Sequence, residues 1–545
     1  MFLVVFLVMA ATLVIGSFFF SIANEPAITP SKIADVLLQP QTLKLLINTL
    51  EVGIGAGLLA TAVGSLYAWF LVRTNVPWRR ALRLGVILPL SMPFIVKGFG
   101  WIALFSPSFG LINRAAAAFG IGPIINIYTI WGVIFAIGVG GLPLSFLVME
   151  PAVRAIDFSL EESSRVAGRG LFQTFLRVTL PLLTPGMISS FILVMIIGIG
   201  NFDYPFLFNA TGKTQTLATQ IFYVLRGTPV PKYGTATIYS LIYLVIALVA
   251  ITFYWRATRN TQRFVTVTGK ASRSRVHDLG RWRPVGTAFL VFIWSLSFLL
   301  PFLGILATSF APGISNVFRG FTLDNYAYFL SISAIRGVLI NTLVVSAAAA
   351  LLVAFFSVFI AYTSLKSDIR FSAIGDYVAT IPLGFPPIVY SLAIFWMVLL
   401  IPGLNATYGT LVPIVLALVF VRLPHGVRIV SSNLIQLSDE LEEASRVSGR
   451  GWFGSFRRIT VPLLSGGVGN TFLYTFIDSM RELGAIVLLI SAGNNVYTSI
   501  LLQMYSQSST ALPDIAAGSV LFVALIFVFV VIYMYRTEAG GPPTA

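Results

Sequence analysis

The sequence predicts an all-α polytopic membrane protein, with about twelve transmembrane helices in two parallel six-helix repeats. Three observations lead there. The 545 residues are 57% hydrophobic and only 10% charged, with mean hydropathy +0.90, whereas soluble domains carry about 25% charged residues. Apolar windows of spanning length recur from end to end. One polar stretch occurs twice: Leu160-Glu161-Glu162-Ser163-Ser164-Arg165-Val166-Ala167-Gly168-Arg169-Gly170 returns as Leu441-Glu442-Glu443-Ala444-Ser445-Arg446-Val447-Ser448-Gly449-Arg450-Gly451, 281 residues later.

The apolar cores lie at 2–21, 44–72, 84–105, 127–149, 181–208, 236–255, 285–309, 337–364, 375–401, 408–430, 462–491 and 515–535. The first lacks a basic leader and is long for a signal-peptide core, so it reads as a retained helix. Basic residues then set the orientation. Arg73, Arg79, Arg80 and Arg83 fill one loop, and Arg154, Arg165, Arg169 and Arg177 the next of the same side. Eight more basic residues lie in 256–283, and Arg446, Arg450, Arg457 and Arg458 lie in the second motif loop. All fall on one side of a twelve-span topology, which makes that side and both termini cytoplasmic. The net charge of +15 therefore orients the chain in lipid and does not imply nucleic acid.

The duplication extends beyond the motif. Leu46-Ile47-Asn48-Thr49-Leu50 returns as Leu339-Ile340-Asn341-Thr342-Leu343, and Pro89 and Pro93 as Pro382 and Pro386, at an offset of 293. Pro143 returns as Pro424 at 281. Six spans per half keep both halves facing the same way, a parallel repeat. The expected organisation is a first repeat over 1–255, a basic connector over 256–283, and a second repeat over 284–545. The connector reads as a tether at the anionic lipid surface, with regulatory docking as the alternative.

With no cysteine and only His277 and His425, thiolate and histidine metal sites are excluded. Gly212-Lys213-Thr214 imitates the end of a phosphate-binding loop, but the pattern needs glycine where Leu207 stands. No catalytic constellation emerges, so the chain is not expected to be an enzyme.

In the motif, Asp157 or Ser159 can cap a helix beginning near Leu160, and Glu161 and Glu162 suit the positive end of its dipole. Gly168 and Gly170 tolerate positive φ and end it. A second short helix over 171–178 presents Leu171, Phe172, Phe175 and Leu176, and Pro181 opens the next span. Trp452, Phe453, Phe456 and Pro462 repeat the pattern. A helix lying on lipid headgroups would explain the arginines and aromatics. It would not explain the identical spacing in both halves.

Both copies resemble the EAA loop of binding-protein-dependent ABC importer permeases of the type I fold: Glu162-Ser163-Ser164, Gly168 and Leu180-Pro181 in loop 157–181, and Glu443-Ala444-Ser445, Gly449 and Val461-Pro462 in loop 438–462. Ser163, Ser164 and Ser445 depart from alanine but stay small. The resemblance implies a coupling helix in each loop, seated on one of two copies of a cytoplasmic ABC ATPase, with Glu162 and Glu443 meeting its basic residues. ATP and Mg would be bound by that subunit, and this chain would carry no cofactor. An external solute-binding protein would deliver the substrate. An ion-gradient-driven carrier is the rival class, although it has no use for two such helices.

Ionisable residues within spans are costly and usually functional. Asp478, Arg481 and Glu482 sit in the eleventh segment, and spacing suggests that Asp478 and Glu482 share a helix face with Arg481 neutralising them. Pinning of the half-to-half interface and gating of a path are both open. Asn201 corresponds to Glu482, with Asp203 and Tyr204 beside it. Lys97, in Phe94-Ile95-Val96-Lys97-Gly98-Phe99-Gly100-Trp101, either snorkels to the headgroups or meets an anion in the path. This stretch, Thr266-Val267-Thr268-Gly269-Lys270 with Leu279-Gly280-Arg281, and Met480-Arg481-Glu482-Leu483-Gly484 look like the fused permeases of ferric-iron importers. Ferric iron is the substrate that likeness implies. Thiamine, phosphonate, polyamine and sulfate are the alternatives within the same class.

Overall fold

A computed structural model describes residue 11 and residues 29–261, 276–314, 317, 320–366, 385–438 and 440–539. The first apolar segment (2–21) apart from residue 11, most of the connector, Pro382 and the start of the ninth segment lie outside them.

Among the described residues the chain is helical, as expected for an all-α polytopic membrane protein. Eight helices are long and apolar enough to cross a bilayer. They are α1 (Pro40–Arg73), α3 (Ile130–Ala155), α5 (Leu171–Gly200), α7 (whose apolar part is Tyr233–Phe253), α8 (Gly280–Ser309), α9 (Ile335–Lys366), α11 (Val412–Leu434) and α15 (whose apolar part is Leu512–Tyr533). A bent pair has the same apolar length, as a broken span or a re-entrant loop: Arg79–Ser91 and α2 (Phe94–Phe105) meet at 102°. The break falls at Pro93, which cannot continue a helix from the preceding turn. Two polar motif helices, α4 (Phe158–Val166) and α12 (Glu440–Val447), precede α5 and α13 (Ser465–Met480). Helices α6 (Leu217–Arg226) and α14 (Tyr497–Gln507) follow α5 and α13, and α10 (Pro387–Leu400) precedes α11.

Several boundaries differ from the sequence expectation for physical reasons. Residues 171–178 do not form a separate helix. They are the first turns of α5, and Pro181 lies inside that helix. Proline removes one ladder donor, and its ring crowds the carbonyl four residues back. The chain answers with a π-helical turn over Phe175–Thr179. The same device recurs at Phe456–Thr460 before Pro462 and at Ser295–Leu299 before Pro301. The eleventh apolar segment is not one span either: helix α13 ends at Met480, and 481–489 run in turns.

The helices form two compact units, which are not the two sequence halves. One comprises Ser31–Tyr223 with Ile238–Asn325; the other comprises Met1–Pro30, Val224–Thr237 and Tyr326–Ala545. Helix α8, early in the second half of the sequence, thus belongs with the first repeat. Glycines make the contact: a Cβ on Gly100 would stand 2.3 Å from the Pro301 carbonyl oxygen, and one on Gly304 2.9 Å from Leu104. Small residues let apolar helices approach closely where lipid offers no hydrophobic drive.

Within each unit the repeated Asn-Thr pair has one task. Asn48 donates to the Gln215 carbonyl (2.8 Å), and the Thr49 hydroxyl accepts from Leu217 N at the start of α6 (3.0 Å). Asn341 donates to the Asn495 carbonyl (3.0 Å), and Thr342 accepts from Tyr497 N at the start of α14 (2.9 Å). Each pair satisfies backbone groups that a buried helix start would otherwise leave open.

Candidate functional site: the paired motif helices and the helix breaks

Helix α4 is capped by Asp157, whose carboxylate accepts from Ser159 N at 2.9 Å. That bond holds the Asp157 carboxyl below the usual carboxylate range. Gly168 (φ +83°) and Gly449 (φ +81°) end the two motif helices in the left-handed region. Gly170, expected to do the same, is extended at φ −67° and starts the next helix instead.

The two loops are tied down by corresponding bonds. Thr179 donates to Glu161 Oε1 at 2.7 Å, and Thr460 donates to Glu442 Oε1. Ser164 meets Thr174 at 3.1 Å, and Ser455 donates to Ser445 at 2.8 Å. Arg73, at the end of α1, donates to the carbonyls of Val153 (2.9 Å) and Ile156; Lys366, at the end of α9, donates to that of Leu437 (3.2 Å). Glu161 is fully buried and Glu442 partly so. Burial pushes the Glu161 carboxyl up, but hydrogen bonds from His277 and Thr179 and the charge of Arg73 outweigh it, leaving it below its ordinary value.

The outer faces are open. Glu162, Ser163, Gly168 and Pro181 are exposed, as are Glu443, Ala444, Gly449 and Pro462. Val166 is 88% and Val447 89% exposed, beside exposed Phe172 and Phe453. A hollow of about 420 Å³ borders the first helix, lined by Glu162, Arg165, Val166, Gly168, Arg169 and Leu171. The acidic pair is therefore divided in each copy: the first glutamate is an internal strut, and the second faces out.

The polar residues at the helix breaks are also placed. Lys97 is 3% exposed, with Nζ 5.7 Å from the Phe94 ring centre, so it does not snorkel outward. Asn201, Asp203 and Tyr204 are buried just beyond the end of α5. Asn201 Oδ1 accepts from Tyr204 N (3.1 Å), and Glu482 Oε1 accepts from Ala485 N (3.1 Å), three residues on in both cases. Asn201 and Glu482 fall in different units.

The charge pairing differs from the spacing argument. Because α13 ends at Met480, Asp478 and Glu482 do not share a helical face. Arg422 of α11 gathers them, reaching Asp478 at 2.6 Å and Glu482 at 2.5 Å, whereas Arg481 reaches only Asp478, at 3.4 Å. Arg422 was legible as an arginine inside an apolar span, but no spacing rule links it to residues about 60 positions away. Its counterpart in the first repeat is Gly141, so this cluster belongs to the second repeat alone. Among the described residues no group of three or more His, Cys, Asp or Glu side chains could hold a metal ion.

The duplication and the paired loops can be set against known proteins. The family described as "Binding-protein-dependent transport system inner membrane component" matches twice, over residues 53–261 and 354–537. A ferric transport system permease protein of Actinobacillus pleuropneumoniae is 27% identical, over 91% of this chain and 72% of that one. An Fe(3+)-transport system permease protein of Haemophilus influenzae is 24% identical, over 86% and 85%. A molybdenum transport system permease protein of Escherichia coli is 28% identical, over 40% of this chain and 93% of its own. A crystal structure of a bacterial ABC transporter importing alginate is a weak likeness, at 19% identity and TM-score 0.39, covering 48% of this chain and 90% of that one. The family is established by the sequence match, which takes in more than half of the chain: this protein belongs to the binding-protein-dependent transport system inner membrane components, as a fused, duplicated permease.

Proposed function

We propose that α4 and α12 are the docking helices of an ATP-driven importer, each gripped by one copy of a cytoplasmic ABC ATPase that binds ATP and Mg. One observation carries the reading. Each helix is fastened by a corresponding threonine-to-glutamate bond, and both present the same exposed set, Glu162, Val166, Gly168 and Phe172 in one, Glu443, Val447, Gly449 and Phe453 in the other. Exposed apolar tips flanked by charge suit a partner groove. Rigid-body motion of two ATPases would then be passed to the helices that begin at these loops, giving alternating access.

The solute comes from an external binding protein, as membership of the family supports, and ferric iron is the substrate we favour. Two relatives that match over most of the chain are named for ferric or Fe(3+) transport. We assign Lys97, Asn201, Asp203, Tyr204, Asp478, Arg481 and Glu482 to the translocation path or its gate, because they sit where spans break and the backbone can rearrange. The motif face and both termini are cytoplasmic in this reading, on the strength of the arginine-rich loops.

The test is co-purification and transport with the partner ATPase in proteoliposomes. Glu162→Ala with Glu443→Ala should lose ATPase association or transport while still inserting in the membrane. Retained coupling in that variant would remove the role given to those glutamates. Uptake by the permease without an ATPase would point instead to a gradient-driven carrier. Substrate is read by supplying the binding protein with Fe(3+), molybdate, sulfate or spermidine in turn.

A further inference from the structure

Each inner motif glutamate has two carboxylate oxygens, and only one is held alike in the two repeats. The other oxygen of Glu442 accepts from the Tyr362 hydroxyl at 2.9 Å, which in turn accepts from Trp452 Nε1 at 3.0 Å. In the first repeat the residue corresponding to Tyr362 is Trp69. It packs edge-on against Phe175 (5.0 Å) as Tyr362 packs against Phe456 (4.9 Å), so the two occupy the same place. Tryptophan has no hydroxyl, and the Trp69 Nε1 is buried without a partner. The missing donor arrives from the connector: His277 Nε2 lies 2.9 Å from Glu161 Oε2, across 116 residues of sequence.

His277 is firmly seated. It is 2% exposed and packs its ring on Phe158 at 4.8 Å. Its backbone N donates to Arg73 O (2.8 Å), and its carbonyl accepts from Asn75 N (3.2 Å). Asn75 also bonds Asp278 (2.5 Å) and Leu279 N (3.1 Å). Arg165 Nη1 stands 3.5 Å from His277 Nδ1. Since guanidinium can only donate, the ring proton belongs on Nε2, facing Glu161.

We propose that the end of the connector, from His277 to Leu279, is a latch on the first docking helix: His277 is the positioning residue that fixes Glu161 and thereby α4, a task Tyr362 performs from within the second repeat. The two docking helices are thus held by different means. Displacing the connector loosens the first and leaves the second untouched. The relevance to ATPase docking rests on the reading given above.

The test uses the full-length permease in nanodiscs without ATPase, with amide hydrogen exchange as readout. His277→Ala should raise exchange across 158–166 about tenfold, the scale of one lost buried hydrogen bond, and leave 440–447 unchanged. Tyr362→Phe should do the reverse. His277→Gln, which keeps a donor, should retain protection. Trp69→Tyr placed in the His277→Ala background should restore it by supplying the hydroxyl from α1. Unchanged exchange at 158–166 in His277→Ala, equal deprotection of both loops, or failure of both His277→Gln and Trp69→Tyr to protect would each overturn the latch. ATPase stimulation is then measured on the same variants. Selective loss of protection with unaltered stimulation would uphold the latch and count against the docking reading.

Discussion

Gly64 of α1 and Ser145 of α3 meet where their helices cross, and the corresponding contact in the other unit carries the same two residue types exchanged, Ser357 of α9 against Gly426 of α11. A Cβ on Gly64 would lie 2.4 Å from the Ser145 hydroxyl, and one on Gly426 2.4 Å from the Ser357 hydroxyl. Each crossing accepts one hydroxymethyl group and no more. Gly64→Ser should therefore destabilise by about 1–3 kcal/mol through overpacking, and Gly64→Ser with Ser145→Gly should recover most of the loss. Recovery is expected to be incomplete, because Ser190 donates to Ser145 at 2.8 Å. The unfolding midpoint of the purified permease in nanodiscs is the measurement; equal midpoints for single and double variants would refute the exchange.

The Asn-Thr pairs predict a second, smaller effect. Thr49→Val keeps shape but removes the acceptor for Leu217 N, and Thr342→Val does the same for Tyr497 N. Each should cost about 0.5–2 kcal/mol, the range of a lost helix cap. Amide exchange should rise at the start of α6 in one variant and of α14 in the other, with no crossover.

Acidification should act on the first motif loop through Glu161. Its folded-state carboxyl lies below its ordinary value, so the ionised form is what the fold binds. The stabilisation it contributes is present above the unfolded pKa of about 4.3. It fades as pH falls from there through the lowered folded value. His277, Arg73 and Arg165 face it from the neighbouring elements, and Asp157 stands at the same helix end. Exchange across 158–166, taken relative to the intrinsic amide rate at each pH, should therefore climb below about pH 4 in the wild type. Glu161→Gln should flatten that rise, at the cost of a looser loop near neutral pH.

What the sequence shows and hides follows from the range of the interactions. Apolar length, the loop arginines and the repeated Leu-Glu-Glu segment are local, so eight of the expected spans and both motif helices are legible without coordinates. So is the turn at Gly168, which needs only one residue able to adopt positive φ. The π-helical turns before Pro181, Pro301 and Pro462 are harder, because proline signals a disturbed ladder without saying whether the helix stops or widens. Glu161 and Glu162 look alike in the sequence; only the fold reveals that one bonds Thr179 inside and the other faces out. His277 and Arg422 depend on pairings across 116 and about 60 residues, which no periodicity encodes.

The Arg422 cluster supports the last prediction. Two acids surround this buried guanidinium, and Arg422 also donates to the Asp478 carbonyl at 3.1 Å. Arg422→Met leaves Asp478 with only the longer contact to Arg481, and Glu482 with its bond from Ala485 N. Removing one partner of a buried pair costs about 3–5 kcal/mol, so this variant should unfold at a markedly lower temperature. Arg481→Met removes one 3.4 Å contact and should cost far less. Asp478→Asn with Glu482→Gln in the Arg422→Met background removes the charges that the arginine neutralised and should regain much of the stability. If Arg481→Met proved the more damaging of the two arginine variants, the pairing inferred from spacing alone would be right and the one centred on Arg422 wrong.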